Sequence, residues 1–425
     1  MMISLIYYYA YVFFYVKINW LNFNNKKQKQ GEYFMNMTFD FTIPSKILFG
    51  QNTLSRLHTE KLPGKKAMLV ISSGKSVHKY GYLSAVENEL KQAGVEYEIY
   101  DKILANPILE HVTEAAAIAR EKACDFVVGL GGGSVLDAAK AIALMATNEG
   151  NLWDYMGGTG KGQYPKVAPL PFVAITTTAG TGTEADPWYV ITNENTNEKI
   201  GSGYFEYTFP VLSIVDPTLM LSVPPSFTAY QGFDALFHSA ESCINKNNNP
   251  INEALALGAI SLVAKYLPTA IKDGSDIVAR ENVALANTMA GMTESLAGCT
   301  SEHSMEHPLS GHNPHLPHGA GLIMLSKAYF TYWADRHIVD EQLIKMAKAL
   351  GKEDATSPYD FVDMLVKLQK ACGVADLKLS DYGIKKEDIP MYAKDAYSSM
   401  GGLFEVDPAP MPFEDCVKIY EESYR

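Results

Sequence analysis

The chain predicts a parallel α/β layer followed by an all-helical region. Short apolar strands alternate with amphipathic helices up to Asp216, whereas beyond Asp216-Pro217 nearly every segment is long and helical with little β-branched alternation. The 425 residues also exceed what one hydrophobic core usually organises. The strand series opens with KAMLVISS, Lys66 to Ser73, which is apolar enough to be buried on both faces. A Gly-Lys-Ser turn leads into a helix around Ser84 to Gln92; VEYEIYD, Val95 to Asp101, is the next strand and Leu109 to Cys124 the next helix. Asp125 to Leu130 and Ser134 to Thr147 repeat the step, and PFVAITTT (Pro171 to Thr178) and PVLSIVD (Pro210 to Asp216) continue the strand set. Such β-α-β repetition belongs to a parallel sheet with helices on both faces. Ile251 to Leu267 and Val278 to Ala297 exemplify the helices that follow. With a boundary near Asp216 and no low-complexity linker, the two regions are expected to meet across a cleft, the usual place for a ligand.

Composition narrows the function classes. Apolar residues at 47% and charged residues at 20% are those of a globular chain. A net charge of −12 without a Lys/Arg stripe argues against nucleic acid. The five cysteines are far apart and odd in number, which fits reduced thiols in a cytoplasmic protein. MMISLIYYYAYVFFYV, at the start, is short for a membrane span, has no positive charge before it and shows no small-residue cleavage site. Tyr, Phe, Ile, Asn and Lys are what AT-rich DNA encodes, and Gln30-Gly31-Glu32 is encodable by a string containing a ribosome-binding sequence just ahead of Met35 and Met37. Residues 1–36 are therefore expected to be a translated leader, with no membrane attachment in the mature chain.

GLGGGSVLDAAK, Gly129 to Lys140, lies at a strand end and opens a helix, where backbone amides and the helix dipole suit a phosphate. Gly131, Gly132 and Gly133 allow close approach; Ser134 and Asp137 have the S-x-x-D spacing of a capping box. The loop alone reads equally as a tight strand-to-helix turn. A second small-residue loop, TTTAGTGTE from Thr176 to Glu184, again follows a strand and raises the case for a dinucleotide.

The histidines carry the sharpest signal. Asp234 and His238 in GFDALFHSAES are four apart and share one helical face. His303 and His307 repeat that spacing, His318 precedes a glycine, and five of the ten histidines lie between His303 and His318. Three imidazoles and one carboxylate suit a borderline divalent ion such as Fe²⁺ or Zn²⁺. Glu241, three residues past His238, reads as an exposed helix glutamate, and His312 and His315 as solvated loop residues.

From about Met37 onward the chain resembles the iron-containing alcohol dehydrogenase family, through IPSKILFG, ANPILEHV, GGGSVLDAAK, TTTAGTGTE, VDPTLMLSVPP, GFDALFHSAES, HSMEHPLSG and LPHGAGLIML in that order. The resemblance implies a Rossmann-like NAD(P)-binding α/β domain over residues 37–215 and a helical metal-binding domain over residues 216–425, the fold shared with dehydroquinate synthase. It implies Asp234, His238, His303 and His318 as metal ligands and His307 as a residue close to the nicotinamide; His307 is the candidate for the proton relay, and reads equally as a packed histidine beside the ligands. It also implies cofactor contacts from Gly74, Lys75, Asn106, Gly131, Gly132, Gly133, Ser134, Asp137, Thr177, Thr178, Thr181 and Lys199. GHNPHLP is about a residue longer than in relatives, which makes His315 the competitor of His318; the P-H-G context favours His318. Where NAD-preferring members often carry an Asp after the first strand, this chain reads Ser73-Gly74-Lys75-Ser76, so NADP(H) is permitted alongside NAD.

The activity so implied is metal-assisted hydride transfer between a small primary alcohol or aldehyde and a nicotinamide, in a homo-oligomer, expected to be a dimer. A propanediol- or glycerol-type diol dehydrogenase and a dehydroquinate-synthase-like lyase are the alternatives. The natural protein is expected to begin at Met35 or Met37; mass spectrometry finding peptides from Ile3 to Lys26 in native material would overturn the leader reading.

Overall fold

The computed structural model describes residues 35–425, so the leader reading lies almost entirely outside the described residues. Six parallel strands form the main sheet: β1 (Lys46–Phe49), β2 (Lys66–Ser72), β3 (Glu96–Ile103), β4 (Phe126–Gly131), β5 (Phe172–Thr176) and β8 (Leu212–Val215). Their order is β3-β2-β4-β5-β8-β1. Setting aside the edge strand β1, this is the flavodoxin-type doubly wound order, with its switch point between β2 and β4. Ligands of such sheets bind outside the carboxyl ends of the strands at that point, which here means the loops following Ser72 and Gly131.

Alternation along the strands explains both layers. Met68, Val70 and Val127 face one way, against helices α2 (Leu109–Glu121) and α3 (Gly133–Thr147). Ala67, Leu69, Ile71, Phe126, Val128 and Leu130 face the other way, against Leu83, Val86 and Leu90 of α1 (Tyr82–Gln92). Sequence periodicity located these elements to within a few residues. It did not reveal β1, nor the antiparallel hairpin β6 (Trp188–Asn193) and β7 (Glu198–Gly203). The hairpin's turn and second strand, ENTNEKIGSG, offer almost no apolar alternation, because β7 is held by its partner strand and by the helical half.

After Val215 the described residues form no further strands. Helices α4 (Pro225–Ile244), α5 (Pro250–Lys272) and α6 (Ile277–Leu296) pack on one another, and α7 (Ser301–His312) and α8 (His318–Arg336) bring in the histidine-rich segment. Among the described residues only α5 is long and apolar enough to cross a membrane; it packs against α4 and α6.

The two halves touch backbone to backbone. A Cβ on Gly182, in the loop after β5, would stand 2.4 Å from the nitrogen of Gly291 on α6, and one on Gly291 would stand 2.0 Å from the Gly182 carbonyl oxygen. The amide of Gly182 donates to Asn287 Oδ1 at 2.8 Å. Two residues on, the buried Glu184 accepts from Asn287 Nδ2 at 2.8 Å and Thr288 Oγ1 at 2.7 Å. A second buried network ties α3 to the hairpin: Lys140 Nζ donates to Thr183 Oγ1, to Asp186 and to the Trp188 carbonyl at 2.7–3.0 Å.

Gly182 has φ +66°, and Gly162 has φ +58° with open space where its Cβ would go. Gly162→Ala is therefore expected to cost about 1 kcal/mol from backbone strain alone, and Gly182→Ala about 3 kcal/mol or more because the loop and α6 must also separate. Guanidinium unfolding of the two variants measures the difference; equal losses would show that the inter-half contact yields freely.

Candidate active site

Asp234 and His238 come from successive turns of α4, His303 from the first turn of α7, and His318 is the first residue of α8, following Pro317 at the N-cap. Their side chains converge. Asp234 Oδ1 lies 3.6 Å from His238 Nε2, 3.7 Å from His303 Nε2 and 3.5 Å from His318 Nε2. Tetrahedral ligands with bonds of 2.0–2.2 Å stand about 3.4 Å apart, close to each of these separations from Asp234, and Asp234, His303 and His318 each bring a donor atom within 4.8 Å of the others. Asp234 Oδ1 and His303 Nε2 are buried without a hydrogen-bond partner, the condition a metal would relieve. Burial would push the Asp234 pKa up, but His238, His318 and His303 together outweigh it and hold the carboxyl well below the usual carboxylate range. The sequence-derived set is thus brought together by the fold. His315, its competitor, is exposed on the loop, and His312 pairs with Asp395 Oδ2 at 2.9 Å.

Buried carboxylates fix the rings. Glu241 is fully buried, which corrects the reading of an exposed helix glutamate. Its Oε1 pairs with His303 Nδ1, and its Oε2 accepts from the Thr300 amide at 2.8 Å and Thr300 Oγ1 at 3.0 Å. The three-residue spacing gave its face of α4; only the packing of α7 gave its burial. Glu306, which the sequence did not single out, pairs with His318 Nδ1. Such carboxylate–imidazole pairs set the tautomer, leaving each Nε2 free to face the ion. Glu294 of α6 stands beside the cluster, its Oε1 2.5 Å from His238 Nε2.

His307, one turn past His303, is 4% exposed and its Nδ1 lies 3.2 Å from the Lys199 carbonyl oxygen. A carbonyl can only accept, so Nδ1 carries the hydrogen and Nε2 the lone pair. Burial, then Lys199 and His318, hold this imidazole well below its ordinary range, so it is neutral. Lys199 itself reaches across from β7: its Nζ donates to Ser310 Oγ at 2.9 Å and lies 3.4 Å from His318 Nδ1 and 3.5 Å from Glu306 Oε2. The ammonium expected at a cofactor therefore stands at the metal cluster.

The remaining expected cofactor residues gather at the carboxyl ends of the strands. Gly74 and Lys75 are exposed in the loop after β2. The Thr177 amide donates to the Gly131 carbonyl at 2.9 Å, holding the two small-residue loops together. A Cβ on Gly132 would meet Thr178 Oγ1 at 2.7 Å, and one on Gly133 would meet Thr181 Cγ2 at 2.3 Å. Gly132 and Gly133 are thus required by loop-on-loop packing. The capping box is not formed: Gly132 is the N-cap of α3, Ser134 Oγ bonds the Ala105 carbonyl, and Asp137 accepts from Thr183 Oγ1 at 2.8 Å and the Val190 amide at 3.0 Å. Asp137 is spent on bracing the hairpin. Asn106 Nδ2 donates to the Pro314 carbonyl at 3.1 Å, bridging the α/β half to the loop before His318.

Removing a converging imidazole should remove iron. His303→Ala and His318→Ala are expected to lose bound Fe²⁺ and His315→Ala to keep it, while Glu241→Gln and Glu306→Gln weaken affinity about 10- to 100-fold. Equilibrium dialysis with metal analysis measures this; iron retained by His318→Ala would overturn the set.

Comparison with known proteins gives the family. The model of the iron-containing alcohol dehydrogenases matches residues 44–217, and that of the family's C-terminal region matches residues 228–424. The 1,3-propanediol dehydrogenase of Citrobacter freundii is 34% identical over 91% of this chain and 99% of its own. The NAD-dependent methanol dehydrogenase of Bacillus methanolicus is 32% identical over 85% and 94%. Among solved structures, an archaeal halo-thermophilic alcohol dehydrogenase from a Red Sea brine pool superposes with a TM-score of 0.87 at 36% identity, covering 92% of this chain and all of that one. The NADH-dependent butanol dehydrogenase A of Thermotoga maritima gives 0.82 at 28% identity, over 93% and 100%. The chain belongs to the iron-containing alcohol dehydrogenase family.

Proposed function

We propose that the protein interconverts small primary alcohols and aldehydes in the cytoplasm, with Fe²⁺ as the ion and NAD(H) or NADP(H) as the hydride partner. The observation that carries the reading is the convergence of three imidazole nitrogens on the unpartnered Asp234 Oδ1 within 3.7 Å, beside the loops that follow β4 and β5. An ion held there supplies Lewis acidity to an alcohol or carbonyl oxygen, and a nicotinamide in the adjoining crevice supplies or accepts hydride. The protein itself contributes position, dryness and proton handling. The side chain of His318 is 22% exposed against 5–6% for the other three, so the cluster opens on that side and substrate enters there. His307 Nε2, with its lone pair unclaimed by the Lys199 carbonyl, takes the hydroxyl proton in oxidation and returns it in reduction. Lys75 supports use of a cofactor bearing a 2′-phosphate, since no carboxylate stands at the end of β2 to repel one.

The propanediol dehydrogenases among the relatives favour a diol as a second substrate reading. Free thiols at Cys124, Cys299, Cys372 and Cys416 suit a reducing compartment, and a homodimer is the assembly we propose.

Anaerobically prepared protein should oxidise NADPH or NADH with straight-chain aldehydes when Fe²⁺ is added and stop with chelator. Lys75→Ala is expected to raise the NADPH KM about 10-fold and leave that for NADH within twofold. Initial rates on an aldehyde and diol panel check both; bound nucleotide without turnover on any member of the panel would sink the dehydrogenase reading, and an unchanged NADPH KM would sink the role of Lys75.

A further inference from the structure

Two donor side chains at the cluster are left unused by the Asp234, His238, His303 and His318 set. Glu294 Oε1 is 2.5 Å from His238 Nε2 and 3.7 Å from Cys299 Sγ. Cys299 sits four residues before His303, in the turn between α6 and α7. One donor atom each from His238, Glu294, Cys299 and His303 lie within 4.8 Å of one another. The His238 and His303 rings stack with centroids 4.5 Å apart and planes 22° apart, so both are shared with the first set. His303 is 5% exposed and its Nε2 has no hydrogen-bond partner.

We propose that His238, Glu294, Cys299 and His303 form a second metal position that overlaps the first and takes a thiophilic divalent ion. The inference rests on the reading of Asp234 and His318 as completing the first position. The first set offers three nitrogens and an oxygen; the second offers two nitrogens, an oxygen and a sulfur, and sulfur favours Zn²⁺ or Co²⁺ over Fe²⁺. In a tetrahedral site with bonds of 2.0–2.3 Å, donor atoms stand about 3.3–3.6 Å apart. Cys299 and Glu294 are already near that separation, and Glu294 has to swing roughly 1 Å from His238 to complete it. On binding, Cys299 releases its thiol proton to solvent and its sulfur lone pair goes to the ion; nothing is oxidised or reduced. Because the two imidazoles cannot serve two ions at once, the protein holds one ion at a time and the identity of the ion decides which position is filled.

Co²⁺ is the probe, since only a cobalt–thiolate bond gives the intense near-ultraviolet charge-transfer band. Metal-stripped full-length protein is titrated anaerobically with Co²⁺, and stoichiometry is read by equilibrium dialysis. The wild type is expected to bind one Co²⁺ per chain with the band. Cys299→Ser, nearly isosteric, should still bind one Co²⁺ but lose the band, Glu294→Gln should bind at least tenfold more weakly, and His318→Ala should keep the band. Cobalt bound by the wild type without the band, a band that survives in Cys299→Ser, undiminished affinity in Glu294→Gln, or loss of all cobalt in His318→Ala would each overturn the second position. Failure of the first position shows separately, as Fe²⁺ binding that is indifferent to His318→Ala.

Discussion

Asp234 Oδ1 is a buried carboxylate oxygen that no donor among the described residues hydrogen-bonds, with three imidazole nitrogens 3.5–3.7 Å away. Water cannot solvate it there, and it is not alone. Glu241, Glu294, Glu302 and Glu306 are buried around the same helices, and the Lys199 ammonium stands 3.5 Å from Glu306 Oε2. Two like charges 4 Å apart cost roughly 4 kcal/mol at an effective dielectric of 20, so such a group needs either protons or a cation. Burial and the neighbouring Glu241 keep Glu302 well above the carboxylate range, so that residue stays protonated. Glu241 and Glu306 act through the Nδ1 atoms of His303 and His318, whereas Glu294 meets His238 at its Nε2. A divalent ion is the compact answer to that arrangement, and the helices are arranged to make it necessary.

The α/β half serves this point at close range. Gly182 and Gly291 let the loop after β5 lie on α6 with no side chain between them, and Glu294 is three residues beyond Gly291, about 4.5 Å along the helix axis. The glycine run at the start of α3 does the same within the α/β half, letting the two small-residue loops lie on each other. What looks in sequence like freedom for a phosphate is, at Gly132 and Gly133, a requirement for contact between the loops.

The elements that were legible in sequence are those where one physical signal dominates. Buried parallel strands such as Ala67 to Ile71 announce themselves by apolar runs, and helix spacing put Asp234 and His238 on one face before any coordinates. Glu241 was misjudged because periodicity gives direction around a helix but not what packs there; α7 covers it. Glu306 was passed over because, in HSMEH, a glutamate between histidines looks like an ordinary helix charge until His318 arrives from the next helix. Asp137 was misassigned because S-x-x-D is local, whereas its real partners, Thr183 and Val190, lie about fifty residues on. The hairpin was missed for the related reason that its second strand is stabilised by tertiary contact.

That hairpin carries the last link between the halves. Lys199 comes from β7, yet its ammonium stands within 3.5 Å of Glu306 Oε2 and of His318 Nδ1. Its carbonyl meanwhile fixes the tautomer of His307. One residue of the α/β half therefore touches the carboxylate that orients a metal-facing imidazole, that imidazole itself, and the proposed proton acceptor. Any shift of the hairpin relative to α7 moves all three together. His318 is also the most exposed of the converging side chains, so the hairpin borders the side on which the cluster opens. Register between the halves is thus set beside that opening, by Gly311 meeting the hairpin turn at Asn197 and by Ser310 holding Lys199, so the position of the hairpin and the orientation of His307 and His318 are fixed together.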